Sequence, residues 1–391
     1  MENIQISEAL IEAARNVKRV SGLTHDFYKY PARFSPSFVR EAIQAFTQPG
    51  DTILDPFAGG GTTLVEAHAA GRNAIGTDIN SLACFVSKVK TSRLTKKDIS
   101  AVRQAVEQIT EAPLPSWIRE EVVDSHYKHH MEAVGTWRLR HFFEFVVASS
   151  NTLPPRGRDF IRVVALRTGQ WALDNRKVIP NLAEARIKFR LNASSMLDGM
   201  RAYTEAVAAG RNVDINKPKA INRSVIGIEQ DRRFIGVTPQ LVLTSPPYPG
   251  VHLLYHRWQI KGRRETAFPY WLASSLDGQT ASYYNLGSRH EAGLKTYFAG
   301  IQESFKSIAA LCNHETLVVQ MLAFSEPDWQ LPEYLQTMKA AGFQEAVQAD
   351  ARIWREVPNR KWYTNVTTSE NTKMEVVLFH RLSPHPLTPP N

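Results

Sequence analysis

The sequence predicts a doubly wound α/β fold that is interrupted by a helical insertion. Between residues 51 and 90, two short apolar runs are each followed by a helical stretch, and a glycine turn lies within the first pair. Apolar runs of strand length return after residue 240, whereas residues 94 to 220 show helical spacing without this punctuation. Strands that alternate with helices are typical of a parallel sheet with helices on both faces.

The first strand–helix–strand unit begins at residue 51. An apolar strand runs into Asp55, a glycine turn follows at Gly59 to Gly61, and an Ala-rich helix ends at Gly71. The second strand ends at Asp78, about 20 residues after the glycines, which is the spacing at which Rossmann-like units contact a ribose. The unit therefore predicts a parallel sheet with a ligand beside the glycine turn.

Later apolar runs extend this sheet and define two lobes. Strands are predicted at residues 240–243, 315–322 and 374–380, and a helix at 331–341. A chain of 391 residues exceeds what one compact core usually holds. We therefore assign residues 20–92 and 223–382 to the sheet domain, 93–222 to a mainly helical insertion, and the Pro-rich residues 383–391 to a disordered tail.

The chain is basic, with a formal net charge of +9 and a pI near 9.5. Residues 111–220 carry 17 Lys and Arg against 12 Asp and Glu, so over half of the excess lies in the insertion. This distribution favours a polyanionic partner, although a solvated basic surface explains the charge equally well.

The composition, with 43% hydrophobic and 22% charged residues, is that of a soluble globular protein. No apolar run approaches the roughly 20 residues of a membrane span, and the first residues lack a signal-peptide pattern, so we expect a cytoplasmic protein without a membrane partner. Cys84 and Cys312 are far apart and are expected to be buried thiols. His126, His129 and His130 lack further ligands, so no metal is predicted.

The glycine turn lets the backbone approach a ligand closely, in front of a helix N-terminus. Asp55, just before the turn, would repel a phosphate but could accept a hydrogen bond from an ammonium group. Asp78 could accept from both hydroxyls of a ribose. The alternatives are a tight turn without a ligand and an aspartate that caps a helix.

The strand at 240–243 ends in a second motif, Thr244-Ser245-Pro246-Pro247-Tyr248. Two prolines remove N–H donors, so carbonyl groups and the Ser245 hydroxyl are left as acceptors. Acceptors without donors suit an amine, and Tyr248 offers a face on which a flipped-out base could stack. The alternative is a rigid surface turn that ends in a buried tyrosine.

These segments together resemble a known family. Residues 55–63, Asp-Pro-Phe-Ala-Gly-Gly-Gly-Thr-Thr, resemble the cofactor motif of the bacterial amino-methyltransferases of DNA, residues 244–248 resemble their catalytic motif, and residues 25–36 resemble the motif that precedes the cofactor site. The resemblance implies an S-adenosylmethionine-dependent methyltransferase sheet. It implies the following cofactor contacts: Tyr30, Phe34, Pro36, Asp55, Pro56, Phe57, Gly59, Gly61, Thr62, Asp78 and Asn80. It also implies these catalytic residues: Ser245, Pro246, Pro247 and Tyr248.

The implied reaction is direct methyl transfer from S-adenosyl-L-methionine to an exocyclic amino group of a base in double-stranded DNA. The Ser-Pro-Pro-Tyr form is associated with N4 of cytosine more than with N6 of adenine, and neither a metal nor a covalent intermediate is expected. A restriction-modification or related defence system is implied, with a cognate restriction endonuclease as a candidate partner. One departure is that the family's acidic residue after the third strand has only Glu229 and Asp231 as counterparts here.

Two regions compete as the part that contacts DNA. By analogy with the family, the insertion is a candidate for target recognition. The stretch after Tyr248 interleaves aromatic and basic residues, and its candidate phosphate contacts are His256, Arg257, Lys261, Arg263 and Arg264. The alternative for this stretch is a solvated helix with Tyr255 and Trp258 in the core. Two rival functions also remain, a tRNA guanine-N2 methyltransferase and a non-catalytic DNA-binding accessory subunit.

Overall fold

The computed structural model describes residues 4–17, 20–29, 34–115, 127, 129–131, 135–210, 215–249, 257–261, 264–275, 286–287, 290–356 and 374–384. Tyr30, Tyr255, His126, His256, Arg263 and the tail from residue 385 lie outside these ranges. The strands are β1 Thr52–Asp55, β2 Asn73–Asp78, β3 Lys219–Asn222, β4 Leu241–Thr244, β5 Trp258–Ile260, β6 Arg264–Thr266, β7 Leu317–Leu322, β8 Phe343–Glu345, β9 Ile353–Glu356 and β10 Met374–Leu382.

The helices are α1 Glu8–Arg15, α2 Pro36–Phe46, α3 Thr62–Ala69, α4 Ser81–Lys90, α5 Lys96–Glu111, α6 Trp137–Ser150, α7 Pro155–Leu173, α8 Leu182–Ala209, α9 Phe268–Ala273, α10 Glu291–Ala309 and α11 Pro327–Ala340. The predicted strands at 240–243, 315–322 and 374–380 correspond to β4, β7 and β10, and the predicted helix at 331–341 lies in α11.

The central sheet has the order β3-β2-β1-β4-β7-β10-β8, and β9 also pairs with β10. Strands β3, β2, β1, β4 and β7 are parallel, whereas β10 runs antiparallel to its neighbours. Successive residues of β1 point to opposite faces, so Ile53 joins the core under α2 and α3 while Leu54 joins the core under α10 and α11. The predicted doubly wound α/β fold is confirmed.

The strand order reverses beside β1. The chain leaves β1 for β2 and β3 on one side, and it later returns to β4 on the other side. Connections at such a switch point run in opposite directions, so a crevice opens outside the carboxyl ends of the two strands. Strand β1 ends at Asp55 and strand β4 ends at Thr244. These are the first residues of the two predicted motifs.

The helical insertion packs in one core with α3 and α4 of the sheet domain, with the hairpin β5–β6 and with α9. Phe142, Phe160 and Phe189 of the insertion are fully buried together with Trp258 and Phe268. The loop after α7 is joined to the hairpin, because the Asn175 amide donates to the Gln259 carbonyl at 2.7 Å. The two regions that competed as the DNA-contacting part therefore form one packed unit.

This packing corrects the predicted domain boundaries. Residues 219–222 were assigned to the insertion, but they form β3 at the edge of the sheet, beside β2. The four-residue run is too short and too exposed to show a strand pattern. Residues 258–261 and 264–273 were assigned to the sheet domain, but they pack on the insertion. Helix α1 precedes the predicted start of the sheet domain at residue 20, and it packs against α2.

The described ranges contain no helix that combines the length and apolar composition of a membrane crossing. Within the same ranges, no group of three or more His, Cys, Asp or Glu side chains could hold a metal ion. Cys84 is buried and Cys312 is partly buried, and neither is bridged.

Candidate active site

The two predicted motifs meet at the switch point of the sheet. The Thr244 hydroxyl donates to Oδ1 of Asp55 at 2.7 Å, although 189 residues separate them in the chain. Asp55 also accepts from the amide of Phe57 at 3.2 Å. The residues predicted for the cofactor and those predicted for the base therefore share one edge of the sheet.

The glycine turn is held in place by β2 and α4. The Gly59 amide donates to Oδ2 of Asp78 at 2.8 Å, the Ser87 hydroxyl donates to the Gly59 carbonyl at 3.0 Å, and the Lys90 ammonium donates to the Gly60 carbonyl. Gly61 has φ +71°, and a Cβ there would lie 2.5 Å from Ser87 Oγ. Glycine at this position thus allows both the left-handed turn and its close packing on α4.

Asp55 and Asp78 form an acidic pair at the carboxyl ends of β1 and β2. Asp55 is buried, with 3% exposure, and burial raises the pKa of each carboxyl to about 6. The negative charge of Asp78 raises the pKa of Asp55 further. Carboxyls whose pKa values are raised in this way mark candidate ligand sites. They fit a ligand that brings an ammonium group and hydroxyls, as S-adenosylmethionine does.

The two acidic residues that follow β3, Glu229 and Asp231, differ in their hydrogen-bond partners. Asp231 accepts from Arg223 and Arg233, and these arginines hold the pKa of its carboxyl well below the usual range. Oε2 of Glu229 is buried and has no hydrogen-bond partner within the described residues. A buried acceptor without a donor costs free energy unless a ligand supplies one, so Glu229 has the free acceptor and Asp231 does not.

Three of the other predicted cofactor residues lie next to the glycine turn and have structural contacts of their own. The Pro56 carbonyl accepts from the Thr77 hydroxyl at 2.8 Å, and Thr62 is buried at the first position of α3. Asn80 caps α4 by accepting from the amides of residues 82 and 83, and its amide group donates to the Tyr270 hydroxyl at 3.0 Å. Its contact with a cofactor stays a prediction.

The residues of the preceding motif lie at the start of α2. Phe34 is a core residue whose ring packs on Phe38 at 5.6 Å between centroids, and Pro36 is buried at the first position of the helix. Phe34 belongs to the core that also contains Ala58 of the turn. Their direct contact with a cofactor stays a prediction, and Tyr30 lies outside the described residues.

The Ser-Pro-Pro-Tyr loop is held by residues from the far half of the sheet. The Ser245 hydroxyl lies 3.0 Å from the Met321 carbonyl and donates to it. The Tyr297 hydroxyl donates to the Pro247 carbonyl at 2.9 Å, and the Tyr248 hydroxyl donates to Oε1 of Glu375 at 2.9 Å. Sequence reasoning missed Tyr297, Met321 and Glu375, because they lie 50 to 127 residues away and belong to no motif.

Tyr248 is largely buried. Only 8% of it is exposed, and it belongs to the core under α10 and α11. This agrees with the alternative of a turn that ends in a buried tyrosine, while Pro246 is buried and Ser245 and Pro247 remain partly accessible. Stacking of a base on Tyr248 stays a prediction.

Within the basic stretch after the catalytic motif, the described residues 258–260 and 264–266 form the hairpin β5–β6 and not a helix. Trp258 is 1% exposed and donates through Nε1 to the Tyr28 hydroxyl at 3.0 Å, so its interpretation as a core residue is confirmed. Lys261 and Arg264 are exposed, and Arg257 is partly exposed. The hairpin leads into α9, whose Tyr270 contacts Asn80 just after the carboxyl end of β2.

The insertion also contributes a basic pocket at the opposite edge of the sheet. This pocket of about 520 Å³ lies where α4 ends and β3 begins. Its charged lining residues are Lys88, Arg93, Arg156 and Lys217. Part of the positive charge predicted for the insertion is therefore remote from the catalytic loop.

Comparison with known proteins agrees with the resemblance. Residues 8–88 match the DNA methylase family of the N6/N4 type. The chain is 28% identical over 257 residues to the type II methyltransferase M.MvaI of Kocuria varians, an alignment that covers 58% of this chain and 53% of that protein. It is 41% identical over 63 residues to the DNA adenine methyltransferase YhdJ of Escherichia coli, covering 16% of this chain and 21% of that protein.

Among solved structures, the rRNA methyltransferase AviRa of Streptomyces viridochromogenes aligns over 93% of this chain and 94% of its own, with 10% identity and a TM-score of 0.36. That score is too low to bear on fold or substrate. The chain spans about half the length of M.MvaI and 14% of M.MjaII from Methanocaldococcus jannaschii. The predicted resemblance to the amino-methyltransferases of DNA is confirmed by these sequence matches, of which the match to the N6/N4 DNA methylase family spans residues 8–88.

Proposed function

We propose that this protein transfers a methyl group from S-adenosyl-L-methionine to an exocyclic amino group of a base in double-stranded DNA. The observation that carries the proposal is the hydrogen bond between Thr244 and Asp55. It joins a buried acidic pair that suits a cationic cofactor to a loop that offers acceptors and no prolyl N–H donors. The similarity to type II methyltransferases and to a DNA adenine methyltransferase supports DNA as the substrate.

Three carboxyl groups would hold the cofactor. Asp55 would accept from its ammonium group, Asp78 from the ribose hydroxyls, and Glu229 from the adenine amino group through its unpartnered oxygen. When bound, S-adenosylmethionine supplies a methyl group on a sulfonium. Direct transfer of that group needs positioning rather than a covalent enzyme intermediate.

The catalytic loop would prepare the amino group of the base. The nitrogen lone pair of an exocyclic amine is delocalised into the ring, which makes the nitrogen a weak nucleophile. Acceptors at the Ser245 hydroxyl and the Pro246 carbonyl would bind its N–H groups and increase the electron density on nitrogen. Serine in this position favours N4 of cytosine over N6 of adenine by the family association. A role in a restriction-modification or related defence system follows from the same association.

The direct test is methyl transfer from labelled S-adenosylmethionine to unmethylated bacterial DNA and to total tRNA, followed by nucleoside analysis. We expect N4-methylcytosine in the DNA and no label in tRNA. N6-methyladenine would overturn the choice of base while keeping the reaction, and label only in tRNA would overturn the DNA substrate. Cofactor binding without transfer to either substrate would favour a non-catalytic DNA-binding subunit.

The hairpin β5–β6 is the proposed phosphate-contacting surface, because it carries exposed cations and leads into α9, which contacts Asn80 after β2. His256 and Arg263 complete the predicted set, but they lie outside the described residues. Replacing Arg264 by Gln should lower the slope of log affinity against log salt by about one. The matched control is Lys339→Gln, which removes one exposed charge on α11 and should leave the slope unchanged. Equal slopes for both variants would place the DNA elsewhere.

A further inference from the structure

We infer that Glu375 is a positioning residue that keeps the lone pairs of the Ser245 hydroxyl available to the substrate amine. The inference rests on the proposed function, because it concerns the acceptor role of Ser245. Glu375 lies on β10 with 2% exposure and has no place in any sequence motif. Its Oε1 accepts from the Tyr248 hydroxyl at 2.9 Å, and its Oε2 accepts from Nε of Arg355 at 2.6 Å.

The direction of each hydrogen bond follows from the chemistry of the partners. A carboxylate paired with arginine can only accept, so Tyr248 must donate its single proton to Glu375. The Met321 carbonyl can also only accept, so it takes the Ser245 proton at 3.0 Å. The hydroxyl oxygens of Ser245 and Tyr248 are 3.4 Å apart. With both protons directed away from this contact, Tyr248 does not occupy a lone pair of Ser245.

A glutamine at position 375 should reverse the direction of the Tyr248 hydrogen bond. The Arg355 guanidinium only donates, so the amide oxygen of the glutamine would turn towards it. The amide NH₂ would then face Tyr248 and donate to its oxygen. The Tyr248 proton would be released towards Ser245, 3.4 Å away, where it would occupy a lone pair that the substrate needs.

A double-mutant cycle separates this role from general support of the fold. Glu375→Gln should lower kcat about tenfold, the rate equivalent of one hydrogen bond of about 1.4 kcal/mol. KM for S-adenosylmethionine should stay within a factor of about two, because the acidic pair is untouched. Tyr248→Phe removes the interfering proton, so the double variant should have the kcat of Tyr248→Phe alone. Independent effects of the two substitutions would multiply instead and would overturn the inference.

A matched control accounts for the lost salt bridge. Arg352 pairs with Glu345 through two hydrogen bonds of 2.6 and 2.7 Å, and among the described residues neither side chain hydrogen-bonds to the Ser-Pro-Pro-Tyr loop. Glu345→Gln should lower thermal stability like Glu375→Gln but should leave kcat unchanged. A similar loss of kcat in both variants would mean that Glu375 acts only through stability.

An observation that does not depend on activity completes the test. In protein with ¹³Cζ-labelled tyrosine, the Tyr248 resonance is the one absent from Tyr248→Phe. Glu375→Gln should shift it upfield, because the phenol would no longer donate to a carboxylate. An unchanged resonance would overturn the inference even if wild-type protein methylates DNA. A shifted resonance in protein that methylates no substrate would instead count against the proposed function and keep the hydrogen-bond assignment.

Discussion

The two loops of the candidate site are held in different ways. The glycine turn is fixed by Asp78 and Ser87, which lie 19 and 28 residues from Gly59 within the same β1–β2–α4 segment. The Ser-Pro-Pro-Tyr loop depends on Tyr297, Met321 and Glu375, which follow it by 50 to 127 residues. The first loop can form with one strand–helix–strand unit, whereas the second requires the assembled far half of the sheet. Substitutions in the two supports should therefore affect cofactor binding and catalysis separately.

The largest effect is expected at the glycine turn. Gly61→Ala adds a Cβ at φ +71°, 2.5 Å from Ser87 Oγ and 3.1 Å from Ser87 Cα, so backbone must move as well as side chain. We expect a loss of about 3 kcal/mol in the free energy of unfolding, from left-handed strain plus overpacking. A displaced turn should also weaken cofactor binding about 100-fold. Chemical denaturation and calorimetric titration measure the two effects.

Gly236→Ala provides the control for backbone strain. Gly236 has φ +73°, but a Cβ there would meet nothing within 4 Å. This variant should lose about 1 kcal/mol and bind the cofactor normally. If both variants lose the same stability and neither loses affinity, local packing on α4 does not hold the turn.

The same contrast explains how much could be predicted from the sequence. The glycine turn, Asp55 and Asp78 were predictable because every feature that defines them lies within about 40 residues, and the fold class followed from the same spacing. Strands β3, β8 and β9 were not predictable, because they are only three or four residues long. Each is defined by its pairing with β2 or β10. The hairpin β5–β6 was missed because its basic and aromatic residues show no clean alternation.

The residues of the candidate site could be predicted from the sequence only where they belong to a local motif. Thr244 and Ser245 were found through a motif, but their partners were not, because a buried glutamate on β10 and a tyrosine on α10 look like any other residue of a strand or helix. Glu229 was one of two candidates, and only burial and the arginine partners of Asp231 separate them. Which residues of distant strands and helices contact the loop is determined by the tertiary structure and cannot be read from a single sequence.

The next largest effect is expected at Asp55, where we expect the carboxylate to increase cofactor affinity and to lower the stability of the fold. Asp55→Asn keeps an acceptor for Thr244 but removes the charge, so cofactor affinity should fall about 30-fold, as for the loss of a charge-assisted hydrogen bond of about 2 kcal/mol. Stability at pH 7 should rise, because the variant no longer buries a carboxylate. Calorimetric titration and thermal melts should thus move in opposite directions.

The pH dependence of stability has a defined sign. The pKa of Asp55 is about 6 in the folded protein and about 4 in the unfolded chain. Its contribution to stability is therefore fully present below about pH 4 and is lost as pH rises through about 6. The stability difference between Asp55→Asn and wild type should grow by about 2 kcal/mol over that window. A constant difference from pH 4 to 7 would mean that Asp55 is not buried in its charged form.

The smallest effect is expected at the support of the catalytic loop. Tyr297→Phe removes the hydroxyl that donates to the Pro247 carbonyl at 2.9 Å, and the loop would lose one of its distant anchors. We expect kcat to fall about three- to tenfold, the equivalent of one neutral hydrogen bond, with cofactor affinity unchanged. Tyr203→Phe is the matched control, because this buried tyrosine of the insertion bonds to His68 on α3, away from the catalytic loop. If Tyr297→Phe weakens cofactor binding as much as it lowers kcat, then the two loops are not independently supported, and the far half of the sheet also shapes the glycine turn.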